Sequence, residues 1–385
     1  MMDGPWFGLA ALCIVVLLCI AVLSWKTHIE ETSDAEKFPK QEWMASEGSP
    51  VGWPIQIIRA EYELIDGSSV PVPAGAVSDV GWGNSRSHMS MSYRTVPESL
   101  RILWFSYREK AFWEGVVSFD TERLTSQFED TFEDPYLGVP TEVSMFLVGM
   151  AGEGTIVVWS QGSRRSEVIA VGKAEKIEGL SAKEILGRKF RNEQFDVEKN
   201  IAGNMADSAE EARRKGISVI EDPNYYYRLH NERYQLKLEI ESDYTPYVVS
   251  SHYFTRENEK FLYEDLHRFS EIKRSLPKEI DADYIFSDMI PYWVIEEINQ
   301  EEIYTAARKL SPNQQTPLTI RVNVEGSIVQ WQFVPRLFLE NDQESIEIKG
   351  FEYRRINQGE KPLTPQMKRY LNQVGEPAPV RPNKT

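Results

Sequence analysis

Short segments in which β-branched and aromatic residues alternate with polar ones recur along this chain. The pattern occurs in residues 54–65, 100–107, 111–119, 143–150 and 155–159. The last two segments flank a tight turn, Gly152-Glu153-Gly154. Alternation is typical of half-buried strands, and short glycine turns join antiparallel neighbours. The chain is therefore expected to fold around antiparallel sheets.

One strand-rich segment has a second copy. Residues 153–159 match residues 325–331, 172 positions later (325 − 153), with five of seven residues identical. A helix-like segment precedes each copy and a further strand follows each one. Chance similarity between two hairpins is the alternative to duplication. Duplication predicts an α+β protein with two related two-layer domains, each an antiparallel sheet with a packed helix.

Composition shifts divide the chain into predicted units. These units are a transmembrane anchor (1–26), a polar tether (27–50), a first α+β domain (51–175), a charged helical connector (176–222), a second α+β domain (223–356) and a polar tail (357–385). The connector contains a run of strong helix formers, Ser208–Lys215.

The anchor is predicted from the amino terminus. No charged residue lies between Asp3 and Lys26, and Trp6 and Trp25 mark the two ends of the apolar run. About 20 apolar residues span a bilayer, and indole rings favour its interfaces. Residues 5–25 are thus expected to enter the membrane once. A cleaved signal peptide is the alternative, although no basic residue precedes the run.

Charge and cysteine content exclude several functions. The chain has 59 acidic and 43 basic residues, a formal net charge of −16. This balance argues against nucleic-acid binding, which relies on basic surfaces. Both cysteines, Cys13 and Cys19, lie in the apolar run, so the rest of the chain has no thiolate nucleophile and no cysteine metal site.

The sequence contains no catalytic pattern whose residues can be assigned to one site. No two histidines have the i, i+4 spacing of a helical zinc site. His252 lies in a predicted strand and His267 on a charged helix face, where structural or solvated roles are expected. The chain has no Gly-x-Ser-x-Gly elbow and no phosphate-binding glycine loop. No enzyme activity, cofactor or metal is predicted.

The most distinctive surface candidate is an aromatic hairpin. Trp104, Tyr107, Glu109 and Trp113 lie on its two strands and at its tip. Alternation gives this hairpin aromatic residues on both faces, and Trp and Tyr anchor protein interfaces. These four residues are the predicted protein-binding site. Burial between domains is the alternative for the aromatic residues, and an ion pair with Lys110 is the alternative role for Glu109.

Three segments resemble a family of bacterial proteins, domain of unknown function 2931. They are Gly52–Ile57, Val96–Trp113 and Val148–Trp159, and the resemblance covers about residues 50–260. It implies a location in the Gram-negative envelope, since members look like envelope lipoproteins and some resemble immunity proteins of type VI secretion. The chain departs from the lipoprotein pattern, because Leu18 stands before Cys19 where a small residue is needed.

These observations predict a membrane-anchored envelope protein that binds a protein partner, as an immunity or adaptor protein for a secreted effector. The resemblance favours an inner-membrane, single-pass location with a periplasmic domain. The residues alone leave the orientation open. The alternative function is a hydrolase-like envelope enzyme with a site between the two domains, since such clefts often bind ligands.

Overall fold

The computed structural model describes residues 38–129, 132–133, 140–162, 165–191, 194–286, 291–328, 332–357 and 363–374. Strands dominate these residues. The first half of the fold contains β1 (Gln41–Gly48), β2 (Ile55–Leu64), β3 (Ser69–Pro71), β4 (Ser92–Arg94), β5 (Pro97–Ser106), β6 (Ala111–Ser118), β7 (Phe132–Glu133), β8 (Pro140–Thr141), β9 (Val143–Ala151), β10 (Thr155–Gly162), β11 (Ser166–Lys173) and β12 (Glu175–Ile177).

The second half of the fold contains β13 (Tyr234–Glu241), β14 (Val248–Tyr253), β15 (Asn258–Leu262), β16 (Lys273–Arg274), β17 (Pro277–Asp283), β18 (Pro291–Glu296), β19 (Leu318–Ser327), β20 (Gln332–Glu340), β21 (Ser345–Ile348) and β22 (Glu352–Asn357). The helices are α1 (Thr121–Glu129), α2 (Ala182–Lys189), α3 (Val197–Lys215), α4 (Tyr225–Asn231), a 3₁₀ helix (Tyr263–Ser270), α5 (Gln300–Leu310) and α6 (Pro365–Val374).

The two halves share one topology. The first half has sheets ordered β4-β1-β9-β10-β11 and β12-β6-β5-β2-β3, and the second half has β16-β13-β19-β20-β21 and β22-β18-β17-β14-β15. The parallel pairs correspond as well, β1 with β9 and β13 with β19. A pairing of β11 with β15 joins one sheet of each half into a ten-stranded sheet. Equal strand order over ten strands is strong evidence that the two halves arose by duplication.

The seven-residue sequence match is not part of this correspondence. Thr155 begins β10 opposite Ala151, and Gln332 begins β20 opposite Ser327. Thr155 therefore corresponds to Gln332, whereas the sequence match aligned it with Ser327. The match is out of register, so the duplication is visible in the strand order and not in that motif.

Each half is a β-sandwich with its own core. In the first half, side chains of β1, β2, β5 and β9 meet between the sheets, including Trp43, Tyr62, Trp104 and Phe146. Trp43 packs edge-on against Phe146, with ring centroids 4.7 Å apart. In the second half, α5 and strands of both sheets surround the buried Trp293. Large apolar side chains at alternate positions supply both cores.

The predicted fold class is wrong. Each half contains two sheets facing each other, where the sequence suggested one antiparallel sheet covered by a helix. Parallel pairs occur in both halves, and these were not expected either. The proposed tether also contains a strand, β1, in which Trp43 and Ala45 are fully buried. Periodicity within one segment does not show which distant strands it will face.

The predicted transmembrane helix, and the inner-membrane location based on it, are likewise corrected. None of the helices within the described ranges combines the length and the apolar character needed to cross a bilayer. Residues 1–26, on which the prediction rested, lie outside those ranges.

The segment between the halves is helical. Ser181 and Asp196 cap the amino termini of α2 and α3 by accepting backbone hydrogen bonds, and Gly216 ends α3 in the left-handed conformation. The helix-forming run Ser208–Lys215 makes up the last two turns of α3.

Candidate functional site

The structure buries the aromatic residues of the predicted binding site. Trp104 and Tyr107 are 0% exposed and Trp113 is 7% exposed. Trp104 and Trp113 are cross-strand neighbours on β5 and β6 and point into the first core. Tyr107 packs on the opposite face, against residues of α2 and α3 such as Leu186. These aromatic rings therefore hold the fold together and offer no surface to a partner.

Glu109 has a structural role at the tip of the same hairpin. Its carboxylate accepts hydrogen bonds from the indole of Trp113 at 3.1 Å and from the backbone N–H of Glu153 at 2.7 Å. It thus ties the β5–β6 turn to the β9–β10 turn. Lys110 pairs with Glu198 on α3, at 2.8 Å, instead of with Glu109.

The junction between the halves is filled by aromatic side chains. The Trp82 indole donates to Nε2 of His230 at 2.8 Å, and the Trp159 indole donates to the carbonyl of Thr255 at 3.0 Å. The two indole rings meet edge-on with centroids 5.1 Å apart. Burial keeps the pKa of His230 well below its ordinary value, so this imidazole is a neutral acceptor.

Three of the four sheets have chain segments packed on their outer faces, meaning the faces turned away from the sandwich cores. Helices α2 and α3 cover β5 and β6, and Trp82 with α4 covers β9 and β10. Helix α6 packs on β14 through Met367. The fourth outer face, formed by β13, β19, β20 and β21, has exposed or half-exposed side chains at alternate positions along β13, β19 and β20. We call it the open face.

Aligning the two halves shows that the same sheet face is covered in the first half and uncovered in the second. Positions on β10 and β20 correspond once the hairpins are aligned on their first paired residues. Val157 and Trp159 are 0% exposed beneath Trp82, while the corresponding Val334 is 49% exposed. The side chain of Arg336, which corresponds to Trp159, is 41% exposed. The surface that carries an internal cover in the first half is thus solvent-exposed in the second.

An arginine–phenylalanine–arginine cluster lies at the centre of the open face. The guanidinium carbons of Arg321 and Arg336 lie 4.5 and 5.1 Å from the ring centroid of Phe338. Arg321 also binds Glu340, with Nε 3.2 Å from Oε2, and Arg336 binds Glu347 at 2.8 Å. These hydrogen bonds lower the pKa values of both glutamates, so the charges persist at neutral pH. Arginine and aromatic residues are the types enriched in protein interfaces.

A polar cavity of about 330 Å³ lies where the halves meet. The first half contributes residues such as Asn84 and Ser166 to its wall, and the second half contributes His252, Glu257 and Glu279. Glu257 is buried and accepts hydrogen bonds from the backbone of Val168, from Thr255 and from Arg233, so its charge is compensated.

The sequence did not reveal the arginine–phenylalanine cluster of the open face or the cavity between the halves, for the same reason. Arg321, Arg336 and Phe338 lie on β19 and β20, and His252 and Glu279 lie on β14 and β17. Each pair of strands must be placed in register before these side chains become neighbours. The alternation of β20 was a usable signal, because it assigns Val334, Arg336 and Phe338 to one face.

A family model described as "Protein of unknown function (DUF2931)" matches residues 26–247, more than half of the 385-residue chain. No curated protein and no solved structure matches the chain. The matched range contains all three segments that carry the sequence resemblance, and it includes the whole first sandwich and the helical connector. The chain belongs to the DUF2931 family.

Proposed function

We propose that this chain is a binding protein whose open face holds a protein partner. The observation that carries the proposal is the half-exposed Arg321–Phe338–Arg336 cluster on a sheet face that is covered in the other half of the same fold. Interface energy concentrates in a few aromatic and arginine side chains. The guanidiniums are already held by glutamates, so little side-chain freedom is lost on binding.

The negative charge of the open face and of the whole chain favours a basic partner. Among the described residues, the open face has five glutamates, at 239, 241, 325, 340 and 347, against Lys237, Arg321 and Arg336, and Lys273 on the adjoining β16 is a fourth cation. The whole chain has a net charge of −16. Opposite charge speeds association and suppresses wrong partners. A secreted effector protein with a basic surface is the partner we propose, and neutralising that effector, as an immunity protein does, is the proposed role.

A site-specific crosslinking experiment tests this proposal. Val334 on the open face and Val116 on β6 are both 49% exposed valines on strands. A photo-crosslinking amino acid replaces either valine in the full chain, which is expressed in the native organism. We expect position 334 to form an adduct with one secreted protein and position 116 to form none. Equal labelling at the two positions, or no adduct at 334, would refute the open face as the binding surface.

The captured partner allows a second measurement. Phe338→Ala removes the ring that both guanidiniums contact and is expected to weaken binding about 30-fold, the effect of an interface hot spot of about 2 kcal/mol. Val116→Ala is the matched control and should bind as tightly as the wild type. The immunity role predicts that cells lacking this chain are killed by the partner, and that F338A protects them less than V116A does.

An enzyme acting between the halves is the second candidate function. It is favoured by the cavity of about 330 Å³, whose wall includes His252 and Glu279 from one half and Ser166 from the other. In this case H252A should abolish turnover in a hydrolase substrate screen while leaving partner binding unchanged. The two proposals therefore predict different effects of the variants: H252A should affect turnover alone, and F338A should affect partner binding alone.

A further inference from the structure

A histidine and two carboxylates converge on the outer face of the second half. His252 on β14 and Glu279 on β17 are direct cross-strand neighbours, with Nε2 and Oε1 3.8 Å apart. Asp281 follows Glu279 by two residues and so lies on the same face. One ligand atom from each of the three residues can be chosen such that all lie within 4.8 Å of one another.

The backbone brings these groups together. Directly opposite residues of an antiparallel pair have Cβ atoms about 4.5–5.5 Å apart, and diagonal neighbours remain within reach of long side chains. The register of β14 and β17 sets Ser250 opposite Asp281 and His252 opposite Glu279. A register shift follows immediately, between His252 and Tyr253. Bulges of this type redirect side chains and are frequent beside functional sites.

The donor set fits one class of ligand. An imidazole nitrogen with two carboxylate oxygens is a ligand set for Zn²⁺ and similar divalent transition metals, whereas Ca²⁺ and Mg²⁺ prefer oxygen ligands alone. We propose that His252, Glu279 and Asp281 bind a divalent cation of the zinc class. The side chains of His252 and Glu279 are 43% and 33% exposed, so both can rotate to the bond lengths of about 2.0–2.2 Å that zinc requires.

The charge around the cluster supports the same conclusion. Ser250 is 1% exposed and lies opposite Asp281, so its hydroxyl can hold that carboxylate in place. Lys260, opposite Ser250 on β15, supplies one positive charge near Asp281. Arg354 also acts on Glu279 but is paired with Glu296, so the cluster keeps a net negative charge that a divalent cation would offset.

The site has room for further ligands. His252 and Glu279 line the junction cavity of about 330 Å³. Two of the three proposed ligands thus border a space that a further ligand can enter, as in zinc sites that keep an open coordination position beside three protein ligands. Water, or a ligand held in the cavity, would complete the coordination sphere. This inference is independent of the open face, which belongs to the other sheet of the second half.

Zinc titration of the full, metal-stripped chain tests the proposal. We expect one Zn²⁺ per chain by calorimetry, with binding at least tenfold weaker in each of the variants H252A and D281N. Ca²⁺ and Mg²⁺ should bind at least tenfold more weakly than Zn²⁺. Co²⁺ should give visible absorption bands in the wild type that H252A lacks. The matched control is H267A, because His267 is an exposed histidine on the 3₁₀ helix.

Two outcomes would overturn the proposal. The first is absence of stoichiometric binding at 1 mM ZnCl₂ to wild-type chain that is folded by circular dichroism. The second is zinc binding that persists unchanged in H252A and in Glu279→Gln. E279Q is a second, independent variant because it retains the size of a half-exposed side chain and is expected to fold even if H252A does not.

Discussion

A buried glutamate on β1 should make the stability of this protein fall as the pH rises. Glu47 is 3% exposed, and its Oε2 has no hydrogen-bond partner. Burial raises its pKa from 4.5 to about 7, although Ser78, Arg86 and Ser87 oppose the shift. In the unfolded chain the carboxyl loses its proton near pH 4.5. Between these two values the folded state keeps a proton that the unfolded state has lost, so raising the pH favours unfolding.

The size of the effect follows from the shift. Each pKa unit is worth 1.36 kcal/mol, so the full penalty above pH 7 is about 3 kcal/mol. Between pH 5 and pH 8 most of this penalty develops, about 2.5 kcal/mol. Glu47→Gln keeps the shape of the protonated side chain and cannot ionise. We expect E47Q to exceed the wild type in free energy of unfolding by about 1 kcal/mol at pH 5 and by about 3 kcal/mol at pH 8.

Urea unfolding of the full chain at the two pH values measures this difference. Asp283, whose pKa burial raises to about 7, contributes a slope of the same sign in both proteins and cancels in the comparison. The matched control is Glu42→Gln, because Glu42 is exposed on the same strand. E42Q should behave as the wild type. If the wild type and E47Q change equally between pH 5 and pH 8, the reasoning about Glu47 is refuted.

Two further variants test the packing. Trp104→Ala should lower the free energy of unfolding by about 3–5 kcal/mol, because it empties a fully buried site, while Val116→Ala on the neighbouring strand should change it by less than about 0.5 kcal/mol. Similar values for the two would show that Trp104 is not part of the core. Trp82→Phe keeps a ring at the junction but leaves Nε2 of His230 without its donor, and a loss of about 1–3 kcal/mol is expected in the same urea assay. An unchanged midpoint would contradict that role.

Local structure was largely accessible from the sequence. Residues 100–107 and 111–119 became β5 and β6, and residues 143–150 and 155–159 became β9 and β10, because alternation records which side chains face a core. Strand β1 was missed, since its short segment contains Glu42, Ser46 and Glu47 among its apolar residues. Its partner β9 begins about a hundred residues later and runs parallel to it, a pairing that no local pattern encodes.

The candidate sites were less accessible than the strands. Aromatic residues mark both cores and interfaces, so the sequence could not decide whether Trp104 and Trp113 were buried. The deciding elements were α2 and α3, which cover the second aromatic face of the hairpin. The sequence did not reveal the cluster of His252, Glu279 and Asp281, because its members lie on two strands, β14 and β17, with the 3₁₀ helix between them. Only the register of β14 and β17 makes them neighbours.

The duplication also bears on what family membership can say about function. The family match ends at residue 247, after β13, so β14 to β22 lie beyond it. The open face takes one strand, β13, from the matched range and three, β19, β20 and β21, from outside it. The cluster of Arg321, Phe338 and Arg336 therefore belongs to the part of this chain that the family model does not describe. Relatives recognised by the first sandwich and the connector need not share this partner, and the crosslinking at Val334 addresses a property of this chain itself.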